Sequence, residues 1–381
     1  MKILVAYGTR PEAIKMAPVV EALRRRAERC NVRVCTTAQH REMVDQVESV
    51  LGLAPDIDLD LMRPRQRLNE LAARALGALD GVLASEQPDW LLVQGDTTTA
   101  MAGALAAFHQ GIRVGHVEAG LRTGDLARPF PEEANRRIID VVAAAAFAPT
   151  TRARNVLLAE GLPAERVHVT GNTVVDALMA IRKRIAAVDV KDEVLITVHR
   201  RESFGAPLRS ILEAMAALAA SFPRWRWVYP VHPNPAVRGP AHEMLGHYQN
   251  VELHEPFDYL ELVRRLMRCR LVLTDSGGLQ EEAPTLGKPV LVLREITERP
   301  EGVTAGVARL VGTDKESIVA EVTRLLTDAA AYREMARAVS PYGDGRSGER
   351  IAAVLSGEPV GAMAEPAALR GELTGVERCR D

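Results

Sequence analysis

Short apolar runs alternate with longer segments of helical periodicity along most of the sequence. In the first half, the candidate strands are Lys2–Tyr7, Val32–Ala38, Trp90–Gln94, Ile112–Val117, Ala144–Ala148 and Val167–Thr170. In the second half, they are Val194–Val198, Trp227–Val231, Val251–His254, Leu271–Thr274, Val290–Leu293 and Ala308–Val311. Between them, apolar residues recur at i, i+3 and i+4, which is the spacing of one helix face. This order predicts an α/β fold in which parallel sheets are covered by helices on both faces.

The length of 381 residues exceeds what one hydrophobic core usually serves, so two domains are expected. The charged segment from Arg182 to Glu193 has no strand pattern and lies midway, and we place the linker there. The prediction is a Rossmann-like domain over residues 1–185, a second over 186–356 whose last helix packs back on the first, and a tail over 357–381. Because right-handed crossovers bring the loops after parallel strands to one edge of a sheet, two domains facing one another would line a central cleft with both sets of loops.

Composition excludes several classes of protein. A net charge of −2 gives no overall attraction to nucleic acid or to anionic lipid. The longest alanine-rich run, 141–148, is too short to span a bilayer, and no signal peptide is recognisable, so we expect no membrane association and a cytoplasmic location. The four cysteines lack the spacing of metal ligands and the density of disulfide scaffolds, which predicts buried, reduced thiols at Cys30, Cys35, Cys269 and Cys379.

Polar, glycine-punctuated segments follow the predicted strands in both halves. They are GTRPEAIK at 8–15, QGDTTT at 94–99, HVEAGLRTGD at 116–125, PFPEEANRR at 129–137, HRRESFG at 199–205, DSGGLQEEAP at 275–284 and ERPEGV at 298–303. They place carboxylates, an imidazole and guanidinium groups just past strands, where open α/β sheets bind their ligands. We therefore expect the functional residues in these segments.

Segment 8–15 predicts an anion-binding helix start. Pro11 suits the first turn, where a missing N–H costs nothing, and Arg10 and Lys15 supply two cations beside the free backbone N–H groups. The alternative is an ordinary capped surface helix.

Segment 275–284 predicts a diphosphate cradle without a P-loop. Ser276 can cap the helix that follows, and Gly277 and Gly278 let a ligand approach the backbone. Glu281 and Glu282 do not suit an anion site unless one of them accepts hydrogen bonds from ribose hydroxyls. The alternative for both glutamates is a solvated helix face.

Carboxylates suited to proton transfer follow separate strands of the first half. Asp96 and Glu118 each come directly after a predicted strand, and Glu132 and Glu133 open a helix. Drawn to one sheet edge, these groups would repel one another, and at least one pKa would rise toward the range useful in catalysis. Each could instead be a helix cap or first-turn residue, and for Glu133 we favour that interpretation.

His199 ends a predicted strand and is followed by Arg200, Arg201 and Glu202, a group that suits stabilisation of a leaving group. A structural histidine is the alternative at this position. The other histidines considered, which have no such companions, are interpreted as structural: His109, His168, His242 and His247.

Neither a metal nor a redox cofactor is predicted. The sequence has no HExxH motif, no paired Cys/His spacing and no dense carboxylate triplet in one loop. Gly343, Gly345 and Gly348 spell GxGxxG, but they follow Ser340-Pro341-Tyr342 rather than a strand, and too little chain remains for a βαβ unit.

The segments quoted above resemble the motifs of the non-hydrolysing UDP-N-acetylglucosamine 2-epimerases. GNTVVDAL at 171–178, YPVHPNP at 229–235 and GTDKE at 312–316 extend the resemblance, which runs from Lys2 to about residue 355. It implies the two-domain architecture of B-type glycosyltransferases, a homodimer, and the interconversion of UDP-N-acetylglucosamine and UDP-N-acetylmannosamine for cell-surface polysaccharide synthesis.

The resemblance also implies roles for individual residues. Proton transfer falls to Asp96, Glu118 and Glu132, and His199 lies beside the departing diphosphate. The residues around the nucleotide are Arg10, Lys15, Ser276, Gly277, Gly278, Glu282 and Arg299. A second, regulatory UDP-sugar, held by some members, would contact Gln39, Arg65, Gln66, Arg200 and His232. Glu42 stands where some members carry glutamine, and Val198 replaces a glycine often found before the histidine.

The chemistry of the sugar indicates how such a reaction proceeds. The proton on carbon 2 has no adjacent carbonyl, so a carboxylate cannot remove it directly. Departure of UDP would acidify this proton through oxocarbenium character at carbon 1, which predicts elimination to a 2-acetamidoglucal and re-addition of UDP. A hydrolysing epimerase, a glycosyltransferase and a nucleotide-sugar binding protein without turnover remain alternatives.

Overall fold

The structure is a computed structural model that describes residues 1–37, 50–63, 66–200 and 203–363. Two compact units divide the chain. The first contains Met1–Ile181 together with residues 342–363, and the second contains Arg182–Pro341. The chain therefore leaves the first unit near Ile181 and returns to it after Pro341.

The first unit contains a seven-stranded sheet in which every neighbouring pair is parallel. Its strands are β1 (Lys2–Tyr7), β2 (Asn31–Thr36), β3 (Ile57–Asp58), β4 (Trp90–Gln94), β5 (Arg113–Val117), β6 (Ala145–Ala148) and β7 (Val167–Val169). Their order is β3-β2-β1-β4-β5-β6-β7, so the direction of strand addition reverses between β1 and β4. Such a reversal is where doubly wound sheets bind ligands.

The helices between these strands are α1 (Arg10–Arg24), α2 (Leu68–Glu86), α3 (Thr98–His109), α4 (Glu132–Val142) and α5 (Thr151–Ala159), and α6 (Thr173–Arg184) follows the last strand. Leu79 and Leu83 of α2 are fully buried against alanines of α3, where Gly103 brings the two helices close. A Cβ atom at Gly103 would lie 3.2 Å from Leu79 Cδ1.

The second unit repeats the plan with six parallel strands in the order β10-β9-β8-β11-β12-β13. They are β8 (Glu193–Thr197), β9 (Arg226–Pro230), β10 (Val251–His254), β11 (Leu271–Thr274), β12 (Val290–Val292) and β13 (Ala308–Leu310). The helices are α7 (Ala206–Ser221), α8 (Pro235–Leu245), α9 (Tyr259–Arg268), α10 (Gly277–Thr285), α11 (Pro300–Thr304), α12 (Lys315–Thr327) and α13 (Ala329–Met335). Trp227 and Tyr229 of β9 lie fully buried in its core.

The last described helix, α14 (Ser347–Ser356), belongs to the first unit and packs against α1. Gly348 permits this contact, since a Cβ atom there would lie 2.6 Å from the Pro18 carbonyl oxygen. Arg26, just after α1, pairs with Glu349 at 2.9 Å. The GxGxxG sequence is therefore a helix-packing feature.

Two parallel α/β units confirm the predicted fold class. The strands Lys2–Tyr7, Trp90–Gln94, Val251–His254 and Leu271–Thr274 match their predictions to the residue. β3 was not predicted, because two residues display no periodicity. Cys30, Cys35 and Cys269 are buried free thiols, as predicted, whereas Cys379 lies outside the described residues. In the described part of the chain, no helix has both the length and the apolar character needed to cross a membrane.

Candidate active site

The predicted carboxylates of the first unit lie after the ends of strands or at the start of a helix. Asp96 follows β4, Glu118 follows β5, and Glu132 is the first residue of α4. β4 and β5 are adjacent in the sheet. The structure thus brings the loops of Asp96 and Glu118 to the same edge.

Glu118 is buried, and its partners include Lys15 and Asn172. Lys15 Nζ forms an ion pair with Glu118 Oε2, and Asn172 Nδ2 donates to the same oxygen at 2.7 Å. Glu118 has a φ of +69°, a left-handed conformation that costs a non-glycine residue free energy. Such strain at a polar, buried position is typical of functional sites. Asn172, within the GNTVVDAL segment, was not among the predicted site residues.

Asp96 is held by α4. Arg136 pairs with Asp96 Oδ2, and Asn135 Nδ2 donates to the Asp96 carbonyl oxygen at 2.9 Å. The Asp96 side chain is 26% exposed, so one side of it faces solvent. The expected repulsion among carboxylates is thus countered at both Asp96 and Glu118 by a cation that the sequence argument did not pair with them.

A third carboxylate, Glu12, fastens the β1 loop to the β4 loop. Its oxygens accept hydrogen bonds from Gly8 N at 3.0 Å, Thr9 N at 2.7 Å and Thr97 Oγ1 at 2.8 Å. Burial raises the pKa of Glu12, and the hydrogen bonds from Thr97 and Thr9 oppose that rise. Helix α1 starts at Arg10 with Pro11 in its first turn, as expected. Lys15 points into the site rather than to a solvated face, being 6% exposed.

Glu133 has a structural position. It is fully buried in the first turn of α4 and accepts hydrogen bonds from Thr123 N at 3.1 Å and Gly124 N at 3.3 Å. Its other partners are Arg136 and Arg137, each at 3.1 Å. This agrees with the first-turn interpretation of Glu133.

In the second unit, Asp275 organises the loop of His199. The buried Asp275 carboxylate accepts hydrogen bonds from His199 N at 2.9 Å, Arg200 N at 2.8 Å and Ser203 Oγ at 3.1 Å. His199 Nδ1 lies 3.1 Å from Asp275 Oδ1. Burial alone would raise the pKa of Asp275, but the hydrogen bond and charge of His199 and the backbone donors outweigh it and lower that pKa.

His199 is 40% exposed and stacks on His232, with ring centroids 6.3 Å apart and planes at 21°. Asn234 N donates to His232 Nδ1 at 3.2 Å, so the proton of a neutral ring is on Nε2. Burial and the charge of His199 lower the pKa of His232, although Asp275 opposes them. Asp275 thus orients His199, which leaves Nε2 of that ring for a ligand.

The segment predicted as a diphosphate cradle forms a helix start. Ser276 is the N-cap of α10, and Gly277 and Gly278 are its first two residues. A Cβ atom on Gly277 would lie 2.6 Å from Arg299 Nη1, so only glycine allows the guanidinium to lie against this turn. The free N–H groups of a helix start together with a guanidinium suit an anion.

A buried ionic cluster holds Arg299. Glu281 accepts from Arg299 Nε at 2.5 Å and Glu298 from Arg299 Nη1 at 2.6 Å. Glu298 also pairs with Arg294 at 2.9 Å and with Arg200 at 3.5 Å. Burial would raise the pKa of Glu298, but the three guanidinium charges lower it far below its usual range. Glu298, which lies in the ERPEGV segment, was another residue that sequence reasoning missed.

Glu281 and Glu282 are 1% and 5% exposed, so the alternative of a solvated helix face is wrong. The helix packs both carboxylates inward, where Glu281 meets Arg299 and Glu282 Oε1 accepts a hydrogen bond from Tyr259 at 2.8 Å. The second oxygen of Glu282 lies 3.8 Å from the position of a Cβ atom on Gly278, beside the cradle.

Three of the five predicted regulatory residues lie among the described residues. Gln39 and Arg65, like Glu42, lie outside the described residues, and Gln66 accepts a hydrogen bond from Arg74 in the first unit. Arg200 and His232 adjoin Glu298 and His199 in the second unit. The second UDP-sugar site stays a prediction. Among the residues that the structure describes, no group of three His, Cys, Asp or Glu side chains is suited to hold a metal ion.

The chain is similar to known proteins over almost its whole length. Residues 21–356 match the family model of UDP-N-acetylglucosamine 2-epimerases. The chain belongs to this family. A UDP-N-acetylglucosamine 2-epimerase of Salmonella typhimurium is 53% identical over 370 residues, which cover 93% of this chain and 98% of the relative. The enzyme of Escherichia coli K12 is 51% identical with the same coverage.

Two solved structures of such epimerases are similar. A Neisseria meningitidis structure bound to UDP-N-acetylglucosamine has a TM-score of 0.89 and 45% identity and covers 93% of this chain and 99% of its own. A Staphylococcus aureus structure described as MnaA with UDP has a TM-score of 0.87 and 42% identity, covering 94% and 99%. The family resemblance, the isomerase class and the B-type glycosyltransferase fold of the two units are therefore confirmed.

Proposed function

We propose that this epimerase inverts carbon 2 of UDP-N-acetylglucosamine without hydrolysis, by eliminating UDP and adding it back. In the first step, the bond between carbon 1 and the β-phosphate oxygen breaks and carbon 2 loses its proton. UDP and a 2-acetamidoglucal result. In the second step, carbon 2 is protonated on its other face and an oxygen of the β-phosphate re-forms the bond to carbon 1, which gives UDP-N-acetylmannosamine.

The observation that carries this proposal is that carboxylates suited to proton transfer lie in the first unit, whereas groups suited to binding a diphosphate lie in the second. Asp96 and Glu118 occupy neighbouring strand-end loops, and each is held in place by a cation. A carboxylate fixed in this way can accept a proton at a defined position, which is what stereospecific proton transfer needs. Glu132 begins the helix whose Arg136 holds Asp96, so it is the third candidate.

Stabilisation of the departing UDP falls to the second unit. The N-terminus of α10, with Ser276, Gly277 and Gly278, offers backbone N–H groups, and Arg299 lies against this turn. His199, oriented by Asp275, would donate to the diphosphate oxygen that becomes free when the bond breaks. Donors placed in advance around a developing negative charge lower the barrier to its formation.

The enzyme should therefore exchange the carbon 2 proton with solvent. Purified protein is incubated with UDP-N-acetylglucosamine in deuterated water, and the nucleotide sugars are separated and analysed by mass spectrometry and NMR. The expected result is UDP-N-acetylmannosamine with deuterium at carbon 2. Retention of the original proton would exclude the elimination mechanism, and free N-acetylmannosamine with UDP would indicate a hydrolysing epimerase.

The exposed apolar residues of the first unit support a homodimer. Ile138 and Val141 lie one turn apart on α4 and are 40% and 75% exposed. Phe130, just before α4, is 68% exposed, and Phe108 at the end of the adjacent α3 is 56% exposed. Apolar patches of this kind mark protein interfaces. A second copy of the chain is the proposed occupant, and a cytoplasmic setting stays a prediction.

Light scattering after gel filtration tests the dimer. Val141→Lys should place a charge in the contact and yield monomers at micromolar concentration, whereas Val190→Lys, at a 54% exposed position in the second unit, should leave the dimer intact. A monomeric wild-type protein, or a dimeric V141K protein, would contradict the proposed interface.

A further inference from the structure

His116 has no role in the site described so far, although it is a fully buried, polar residue on β5. Both of its ring nitrogens are bonded. Nδ1 lies 2.6 Å from Asp140 Oδ1, and Nε2 lies 2.7 Å from the Gly95 carbonyl oxygen. A buried histidine with two short, specific contacts is fixed in one orientation.

The two partners determine the protonation of this ring. A carbonyl oxygen can only accept, so Nε2 carries a hydrogen, and Nδ1 faces the Asp140 carboxylate. The ring is therefore bonded to α4 at one nitrogen and to the Gly95 carbonyl oxygen at the other. Burial raises the pKa of Asp140, but the charge and hydrogen bond of His116, together with those of Arg122 at 2.7 Å, lower it overall.

A buried polar pair in this place calls for an explanation beyond stability. Apolar side chains of similar volume often stabilise a core as much as, or more than, a buried ion pair does. The His116 ring, in contrast to an apolar replacement, reaches the peptide that joins Gly95 to Asp96. Gly95 has a φ of +71°, so the turn into Asp96 has a backbone conformation that other residues rarely adopt.

The same helix controls Asp96 from its other side. Asp140 lies on α4, as do Asn135, which donates to the Asp96 carbonyl oxygen at 2.9 Å, and Arg136, which pairs with the Asp96 carboxylate. The carbonyl groups of Gly95 and Asp96 and the Asp96 side chain are thus all bonded to α4, the first through His116. A shift at His116 would move Asp96 without touching any substrate.

We propose that His116 and Asp140 form a positioning pair that fixes the Gly95 peptide and thereby aims Asp96 for proton transfer. The pair itself does not contact the sugar. This inference rests on the proposed function only for the use that the enzyme makes of Asp96.

Two amide substitutions separate positioning from simple filling of the core. The amide nitrogen of glutamine is as many bonds from the backbone as His Nε2, so His116→Gln can still donate to Gly95. The amide nitrogen of asparagine corresponds to Nδ1, so His116→Asn can bond Asp140 but leaves the Gly95 carbonyl without its donor. Both variants remove the imidazole ring. His168→Asn on β7, where the ring is half-buried, is the control for a change in the same sheet.

Steady-state kinetics and hydrogen exchange are measured on the full-length variants. We expect H116N to lose about 10- to 100-fold in kcat, with KM and the Kd for UDP within about threefold of wild type, because a misaimed catalytic group affects the chemical step. H116Q should stay within about fivefold of wild type. Backbone amides of residues 94–99 should exchange faster in H116N than in H116Q or H168N.

The outcomes are distinguishable. Equal losses of kcat in H116N and H116Q, or unchanged exchange over residues 94–99 in H116N, would overturn the positioning role. If the wild-type enzyme fails to epimerise its substrate, the proposed function fails, and the exchange measurement still decides whether His116 holds the Asp96 loop.

Discussion

In the first unit, cations hold the carboxylates that follow the strands, whereas in the second unit guanidinium groups gather around buried glutamates. Glu118 and Asp96 pair with Lys15 and Arg136, respectively. Glu298, by contrast, is surrounded by three arginines beside a glycine-opened helix start. Two sheets of nearly the same topology therefore present opposite chemistry at corresponding edges. Topology therefore determines where a site forms, whereas the residues that follow the strands determine the chemistry of that site.

A pair of aspartates illustrates the same contrast. Asp176 on α6 is half-buried, and its pKa is raised to about 6, chiefly by burial, although hydrogen bonds from Gly348 and Ser347 oppose the rise. Asp275 is more deeply buried, yet its pKa is lowered because donors from His199 and Arg200 outweigh burial. Burial alone does not fix the charge of a carboxyl group, since the donors around it decide the sign of the shift.

The largest expected effect is a loss of turnover when a carboxylate of the first unit is replaced. Asp96→Asn should lower kcat by about 1,000-fold, the scale of a lost general acid or base, because an amide cannot transfer the proton. The affinity for UDP should stay within about threefold, since Asp96 is assigned to proton transfer and not to the nucleotide. Stopped assays and calorimetric titration with UDP measure both quantities.

Asp89→Asn is the matched control for Asp96→Asn. Asp89 precedes the same strand, at its amino end, where its carboxylate accepts a hydrogen bond from Lys2 N at 2.7 Å. Its kcat should equal that of the wild type. An Asp96 variant that retains turnover would remove Asp96 from the proton-transfer set.

The next largest expected effect is weaker binding of UDP when an arginine of the second unit is replaced. Arg299→Lys keeps a positive charge but cannot bridge Glu281 and Glu298 as the guanidinium does, so UDP should bind about 10-fold more weakly. Arg309→Lys, on the exposed face of β13, should bind UDP as the wild type does. Weaker binding of UDP by D96N than by R299K would reverse the assignment of the two units.

The smallest expected effect is a pH-dependent change in melting temperature, opposite in sign for the two aspartates. The raised pKa of Asp176 contributes stability that is complete below its ordinary value of 3.8 and is lost as the pH rises through about 6. Asp176→Asn should therefore melt a few degrees above wild type at pH 8, roughly 2 to 4 °C per kcal/mol, with a smaller difference at pH 5.

Asp275→Asn should do the opposite in the same melting experiment. The lowered pKa of Asp275 contributes stability above its ordinary value of 3.8, and this is lost only as the pH falls below that range. The variant should melt below wild type at pH 8 and still at pH 5. Shifts of the same sign in both variants would contradict the contrast.

Much of this fold is predictable from sequence because period and burial coincide. Strands such as Trp90–Gln94 and Leu271–Thr274 are continuous apolar runs bounded by polar segments, which is what a parallel sheet covered on both faces requires. Helix α14 returns to the first unit after the chain has passed through the second. Strand β3 has too few residues to show a pattern.

The partners within the site were less predictable than its members. Asp96 and Glu118 could be proposed because each directly follows a strand, but their pairing with Arg136 and Lys15 depends on side chains far apart in sequence. The sequence alone does not indicate a role for His116, because the role of a buried histidine on a strand depends on the residues it contacts in the fold. Glu281 carries the same local pattern as a solvated glutamate, and only its tertiary contact with Arg299 distinguishes it.

The central claim is that UDP leaves carbon 1 during the reaction, and its most direct test follows one oxygen atom. UDP-N-acetylglucosamine labelled with ¹⁸O in the bridge between carbon 1 and the β-phosphorus is incubated with the enzyme and followed by ³¹P NMR. Elimination predicts that the label moves into the non-bridging β-phosphate positions, because the freed phosphate can rotate before it re-adds. Epimerisation with all of the label still in the bridge, even at many turnovers, would contradict the account.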